Sequence, residues 1–196
     1  MIAVRVTLIA TAGTGSQRRT EFPADEALDA AGAKRARQAA LRLQGGERVM
    51  IGPMVAARQT AEALGLEGTI QPALAGCDYG RWAGRSLEAV AAAEPEAVAA
   101  WLADDTAAPH GGESHHQLKE RVGAFLDHVG ATLAGRTIMV TEPAVIGAAV
   151  VHAIAAPPQS FWRIDIAPLS QTILTRSHDQ WRLRAIKTIG VEELEE

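Results

Sequence analysis

Short runs of apolar and β-branched residues alternate along the chain with longer stretches in which apolar residues recur at helical spacing. The run Val4 to Ala10 reads as a first strand. From about Glu26 to Leu43, Leu28, Ala31, Ala39 and Leu43 share one helical face, with Pro23-Ala24-Asp25 before them and Gly45-Gly46 to stop the helix. Arg48 to Ile51 predicts a short strand, and Pro53 opens a helix that runs to Leu64 and closes at Gly65.

Residues 70–112 are less regular and hold the loop Gly76-Cys77-Asp78-Tyr79-Gly80-Arg81-Trp82-Ala83-Gly84. An alanine-rich helical segment follows, broken near Pro95. Pro109-His110-Gly111-Gly112 reads as a loop, Glu113 to Leu133 as a helix and Thr137 to Thr141 as a strand. The helix from Pro143 to about Ile154 is apolar nearly all round, so burial is expected. Beyond Pro157-Pro158 the pattern predicts strands over Phe161–Ile166, Ser170–Thr175 and Trp181–Ile186, the last two joined by a turn at Ser177-His178-Asp179. Strands alternating with helices predict an α/β domain with a largely parallel sheet.

Composition narrows this picture. A chain of 196 residues with 47% hydrophobic and 21% charged residues reads as one globular domain over residues 1–196. A formal charge of −4 with scattered basic residues argues against nucleic-acid binding. No apolar run approaches the ~20 residues that cross a bilayer. Leu8-Ile9-Ala10-Thr11-Ala12 has the look of a signal-peptide end, but the run is short and Arg5 lies near its centre, so a first strand is the expectation. The lone Cys77 excludes an internal disulfide, suits a reducing cytoplasm and is expected to be buried. The expected location is cytoplasmic.

Five segments in order carry a resemblance that covers nearly the whole chain. They are Leu8 to Gly13, Gly52-Pro53-Met54-Val55-Ala56-Ala57-Arg58-Gln59-Thr60-Ala61, Asp78 to Gly84, Gly111-Gly112-Glu113-Ser114 and Val140-Thr141-Glu142-Pro143-Ala144-Val145-Ile146. In this order the chain resembles the histidine phosphatase superfamily, the phosphoglycerate-mutase-like proteins. The resemblance implies a three-layer α/β/α sandwich. It also implies phosphoryl transfer through a phosphohistidine, with two arginines and a second histidine holding the phosphoryl oxygens.

Carried over by position, those catalytic groups are absent here. The first arginine is Thr11, the nucleophilic histidine is Ala12, the second arginine is Ala56 and the second histidine is Glu142. A carboxyl residue that often serves as proton donor falls near Gly76. The pocket's formal charge thus drops by about three units. A phosphate facing Glu142 at ~4 Å would be repelled by about 2 kcal/mol per charge at an effective dielectric of ~40. No replacement nucleophile stands out: Cys77 lacks an arginine six residues on, where Ala83 stands, and Thr11 or Thr14 would need an adjacent base.

The expected ligand pocket therefore comprises Thr11, Gly13, Thr14, Tyr79, Glu113 and Glu142, with Asp78 in the same acidic group. Glu142 precedes Pro143 and can cap its own helix, bind a cationic or hydrogen-bond-donating ligand, or act as an acid or base. His110 is a candidate ligand contact. His115 and His116 are expected to start the helix after the Pro109–Gly112 loop; His116 and Glu120 have a metal-gripping spacing, but such a pair is expected on a solvated helix face. His128, His152 and His178 read as structural or surface residues, and Trp101, Trp162 and Trp181 as core anchors. No cofactor and no metal are expected. The function that follows is a catalytically inactive pseudo-phosphatase that binds a small molecule or serves as a regulatory scaffold for a protein partner, a homodimer being left open. The alternative is an enzyme of another reaction class with Glu142 as acid or base, and the third is residual phosphomonoesterase activity.

Overall fold

The computed structural model describes residues 4–41, 43 and 47–189. Its strands are β1 (Val4–Ala10), β2 (Arg48–Ile51), β3 (Thr69–Ile70), β4 (Gly135–Thr141), β5 (Ser170–Ser177) and β6 (Gln180–Thr188). They form one sheet in the order β3-β2-β4-β1-β5-β6. β1, β2, β3 and β4 run parallel, β5 runs against β1, and β6 turns back against β5. The helices are α1 (Gly15–Arg19), α2 (Ala30–Ala40), α3 (Val55–Ala63), α4 (Leu87–Ala93), α5 (Pro95–Ala103), α6 (His115–Thr132) and α7 (Pro143–Ala153).

Strand alternation splits the core between the two sheet faces. Val6, Leu8 and Ala10 join Leu118, Val122 and Leu126 of α6 and Val145 and Ile146 of α7. Ile9 on β1 and Val140 on β4 instead join Ala36 and Ala39 of α2 and Ala57 and Ala61 of α3. The sheet is therefore a filling between two helical layers. Helix α7 is buried from Val145 to Val151, as its unbroken apolar sequence predicts.

Several segments depart from expectation. The helix foreseen from Glu26 starts at Ala30, because Asp29 Oδ1 accepts from Gly32 N at 2.7 Å and caps it there. Leu28 N donates to Gln59 Oε1 at 2.8 Å, and Leu28 bridges Thr14, which keeps the preceding residues non-helical. The Gly45-Gly46 stop and the acidic Glu192–Glu196 end lie outside the described residues. The segment foreseen as a strand over Phe161–Ile166 begins within a 3₁₀ helix, Pro158–Arg163. Pro158 presets its first turn, and Phe161 and Trp162 pack edge-on at 5.3 Å rather than pairing with the sheet. Helix α1 and the two-residue β3 had no periodic signal long enough to announce them.

Other boundaries follow local chemistry. Glu94 is the break between α4 and α5, with Pro95 at the first position of α5. Ser114 and Gln117 form a reciprocal capping box that starts α6, leaving Glu113 just outside. His178 and Asp179 both take positive φ, 51° and 59°, in the β5–β6 turn.

Candidate functional site

Register decides where the candidate residues meet. Ala10 of β1 lies opposite Thr141 of β4, so Thr11 and Glu142 leave the sheet side by side. Thr11 N donates to Thr141 O at 3.0 Å. Gly52 N, just after β2, donates to Val140 O at 2.8 Å and brings the start of α3 to the same edge. The carboxyl ends of parallel strands in open α/β sheets are a recurrent ligand position. Here they open into a cavity of about 210 Å³, lined by Thr11, Thr14, Ser16, Gln17, Glu26, Ala56, Tyr79 and Glu142, with Pro23, Ala24, Pro143 and Ala144 completing its walls.

The motif residues that are not in the wall hold it. Thr60 donates to Ala56 O at 2.7 Å and accepts from Ala12 N at 3.0 Å, both buried, which ties the loop after β1 to α3. Asp25 Oδ1 accepts from Val55 N at 2.7 Å and so serves the exposed N-terminus of α3. Ala12 itself is fully buried in the core on the α2–α3 side.

Glu142 sits at the N-cap position of α7, but its side chain accepts no capping hydrogen bond, which corrects the capping expectation. It is 8% exposed and, among the described residues, its carboxylate has no hydrogen-bond partner. A Cβ built on Gly76 would overlap that carboxylate: the missing side chain at position 76 leaves the notch that Glu142 fills. Burial, with Asp25 and Glu26 adding like charge, pushes the Glu142 carboxyl up to about 7.

Glu26 is the second acid of the cavity, and it was read from sequence as helix rather than as site. Oε1 of Glu26 accepts from Ser16 N at 3.0 Å and from Ser16 Oγ, and Ser16 Oγ in turn lies 3.2 Å from Thr14 Oγ1. Burial raises the Glu26 carboxyl, but the bonds from Ser16 and Thr14 outweigh it and hold the group below its ordinary value. The sequence pattern sets Asp25 at the head of one helix running from Glu26. That Asp25 caps α3 while Asp29 caps α2, freeing Glu26 for the cavity, is a tertiary fact with no local signal.

Of the expected pocket residues, Thr11, Thr14, Tyr79 and Glu142 line the cavity and Gly13 and Glu113 do not. Gly13 O accepts from Asp29 N at 3.2 Å, and Gly13 backs onto Gly32 so closely that a Cβ on Gly32 would overlap it. Glu113 is held by Arg121 in a two-pronged pair of 2.8 and 2.7 Å. Asp78 is exposed and accepts from Gly80 N at 2.8 Å, so the acidic group foreseen from Glu113, Asp78 and Glu142 is replaced by Glu26 and Glu142. Tyr79 forms one wall without filling the space; burial, with Cys77 and Glu142 nearby, holds its phenol well above the ordinary value.

The histidines and tryptophans sort differently from expectation. His110 is buried, accepts from Gly112 N at 3.1 Å and packs on Trp82 rather than facing the cavity. His115 is not solvated: it is buried against Trp101, Phe161 and Trp162, at ring distances of 5.1, 4.6 and 4.6 Å. His116 is exposed and lies 3.6 Å from Asp105. His152 meets Asp127 at 3.1 Å. Trp101 and Trp181 are buried, whereas Trp162 is 43% exposed and is no core anchor. Cys77 is buried, as expected of it. Among the described residues no group of three or more His, Cys, Asp and Glu side chains is arranged to hold a metal ion, and no helix is long and apolar enough to cross a membrane.

Comparison with known proteins places this geometry. A family model described as the histidine phosphatase superfamily (branch 1) matches residues 11–189. The "Bifunctional protein Rv2228c" of Mycobacterium tuberculosis is 32% identical over 82 residues, 42% of this chain, and the match spans only 22% of that protein's length. An uncharacterized protein of Mycobacterium bovis matches to the same extent. Among solved structures, a mutant phosphoserine phosphatase from Entamoeba histolytica in complex with phosphoserine aligns with TM-score 0.86 and 16% identity, over 95% of this chain and 98% of that one. A mycobacterial glucosyl-3-phosphoglycerate phosphatase aligns with TM-score 0.82 and 21% identity, over 95% and 99% of the two chains. The alpha-ribazole phosphatase from Shigella flexneri gives 0.83 and 21%, over 96% and 100%. At such identities the likeness is one of fold.

Proposed function

The chain belongs to the histidine phosphatase superfamily, and from that membership we propose that it has given up phosphoryl transfer and uses the crevice to bind a small ligand in a non-catalytic, regulatory role. One observation carries this reading: among the described residues the cavity wall holds two carboxylates, Glu26 and Glu142, and no arginine, lysine or histidine. Phosphoryl transfer needs a nucleophile and fixed positive charge where negative charge accumulates. The resemblance puts those groups at Thr11, Ala12, Ala56 and Glu142, none of which supplies either. Of the guanidinium groups around the loop after β1, Arg18 pairs with Asp29 at 2.8 Å and Arg19 with Glu21 at 2.7 Å, while Arg35 lies beside Gly13 outside the cavity wall.

Enzyme assays with phosphoserine and p-nitrophenyl phosphate, beside a thermal-shift test with vanadate, examine this directly. The expected result is no turnover and no shift, whereas the variant carrying Thr11→Arg, Ala12→His, Ala56→Arg and Glu142→His regains a phosphoenzyme. Turnover by the unaltered protein overturns the reading.

A second reading draws on Glu142 alone. A carboxyl held up to about 7 in a cavity with the Thr11 and Thr14 hydroxyls suits acid–base catalysis outside phosphoryl transfer. Under that reading a pH–rate profile on the true substrate breaks near neutrality and loses its break in Glu142→Gln.

A further inference from the structure

We propose that the cavity takes a small primary ammonium group on a short alkyl or hydroxyalkyl stem, with the carboxylates of Glu142 and Glu26 as its acceptors. The inference rests on the loss of phosphate binding argued above and names the ligand class that replaces it.

The carboxylate of Glu142 makes the argument. It is more than nine-tenths buried, lies in the wall of the cavity and has no hydrogen-bond partner among the described residues. A buried acceptor of this kind is costly unless something donates to it. Among the described residues no group donates to it, and its oxygens keep a little accessible surface; the N-terminus of its own helix leaves the side chain uncapped. The natural donor is a ligand, and the most favourable one carries positive charge. Glu26 adds a second carboxylate to the same wall, where Ser16 donates to its Oε1.

The rest of the cavity narrows the class. The absence of any three-residue metal cluster among the described residues favours a cation that brings its own N–H donors over one that needs a full coordination sphere. A volume of about 210 Å³ lies below the ~300–1,000 Å³ of drug-sized pockets, so the ligand is a small one. Pro23, Ala24, Ala56 and Ala144 offer apolar wall to a few methylene groups, and the Thr11 and Thr14 hydroxyls offer partners to a ligand hydroxyl. A ligand bearing its own phosphate or carboxylate would set that anion against Glu142 and Glu26.

Binding should also be tied to pH. Glu142 faces Asp25 and Glu26 from the segment before α2 and Tyr79 from the opposite wall, and all three disfavour its ionised form or are disfavoured by it. An ammonium ligand must ionise Glu142 to use it, so affinity falls up to about tenfold per pH unit once Glu142 is protonated.

The test is amide chemical-shift mapping on the labelled protein about one pH unit above neutrality, where Glu142 is ionised. Four probes are titrated separately: n-propylammonium chloride, 1-propanol, magnesium chloride and inorganic phosphate. Saturable shifts at Thr11, Thr14 and Ala144 with propylammonium but not propanol are expected, with affinity falling about tenfold or more in Glu142→Gln. Glu26→Gln should weaken the same response. Equal response to propanol, a preferred response to magnesium, or full affinity in Glu142→Gln overturns the ammonium site. Silence with propylammonium overturns it too, but leaves the loss of phosphoryl transfer standing if phosphate is also silent. Shifts with phosphate at these amides overturn both.

Discussion

The carboxylate of Glu142 occupies the space that a side chain on Gly76 would take. The two residues come from different parts of the chain, Gly76 from the loop before Tyr79 and Glu142 from the end of β4. Each makes the other tolerable: the glycine supplies the notch, and the acid fills it. In the resemblance drawn from sequence, a carboxyl residue falls near position 76 and a histidine at position 142. Here the carboxyl stands at 142 and position 76 has no side chain at all.

This pairing makes Gly76→Ala a sensitive substitution. Its backbone needs no glycine conformation, so any cost comes from overlap with Glu142. The atoms it meets are the far end of the flexible Glu142 side chain, which can move away, so the cost stays below about 1 kcal/mol. Glu142→Ala removes the obstacle, and the double variant should recover that loss. A double-mutant cycle from denaturant unfolding should therefore show a coupling of about 0.5–1 kcal/mol. Additive effects would mean that Glu142 does not reside in the notch.

Stability should depend on pH through Glu142. Its folded carboxyl titrates near 7, above the ordinary 4.5, so between those values the folded state holds a proton that the unfolded state has lost. Stability contributed by the neutral form is fully present below 4.5, declines as pH rises and is gone above 7. At most about 3 kcal/mol is at stake. Glu142→Gln removes the ionisation, so it should gain up to that amount above neutrality and nothing at pH 4. For a chain of this length that is a rise of about 5–10 °C in Tm, read by calorimetry at the two pH values.

His115 should produce the opposite limb. Burial among Trp101, Phe161 and Trp162, with His110 adding to the effect and Asp105 opposing it, brings its imidazole down to about 4. Its Nε2 is buried without a partner. Between 6.5 and about 4 the unfolded chain binds a proton that the folded chain refuses, so stability falls as pH falls through that window. The loss should reach about 3 kcal/mol. His115→Phe keeps an aromatic ring in the cluster and removes the titration. Because Glu142 acts in the opposite sense over nearly the same window, the difference between the two proteins is the readout: His115→Phe should gain up to about 3 kcal/mol on the unaltered chain as pH falls from neutrality to 4. Parallel pH profiles for the two proteins would refute the assignment.

Which parts of this were legible in the sequence follows from range of interaction. The strands β1, β4 and β5 and the buried helix α7 announced themselves, because their burial is written in nearly consecutive residues. Thr11 and Glu142 were picked out by resemblance, and register places them side by side. Glu26 was lost because the helix was started at it: Asp25 accepts from Val55 of α3, and α2 is capped only at Asp29, which accepts from Gly32, partners that a local pattern does not reveal. Glu113 was misplaced for a like reason: Arg121, more than two helical turns away in sequence, claims both of its oxygens. The segment Phe161–Ile166 carried strand-like residues, but Phe161 packs on His115 and Trp162 on Trp101 rather than along a free sheet edge.

Arg121 should govern the same wall from behind. Besides gripping Glu113, it donates to the carbonyls of Ala73 and Ala75 at 2.8 and 3.1 Å, and so fixes the segment that ends at Gly76. A lysine cannot reproduce this fork, so Arg121→Lys should lose about 1–2 kcal/mol and Arg121→Ala about 2–3 kcal/mol, with Glu113 left partly buried and unpaired. Cys77 supplies the reporter. Its thiol is buried, lies 3.6 Å from Glu113 O and is pushed up to about 12, by burial first and by Glu113 next. In the unaltered protein, alkylation by iodoacetamide should therefore proceed only through opening of the fold. If Arg121 pins this wall, Arg121→Ala should speed alkylation of Cys77 by more than its loss of global stability alone accounts for. A rate that merely tracks global unfolding would mean that the wall stands without it.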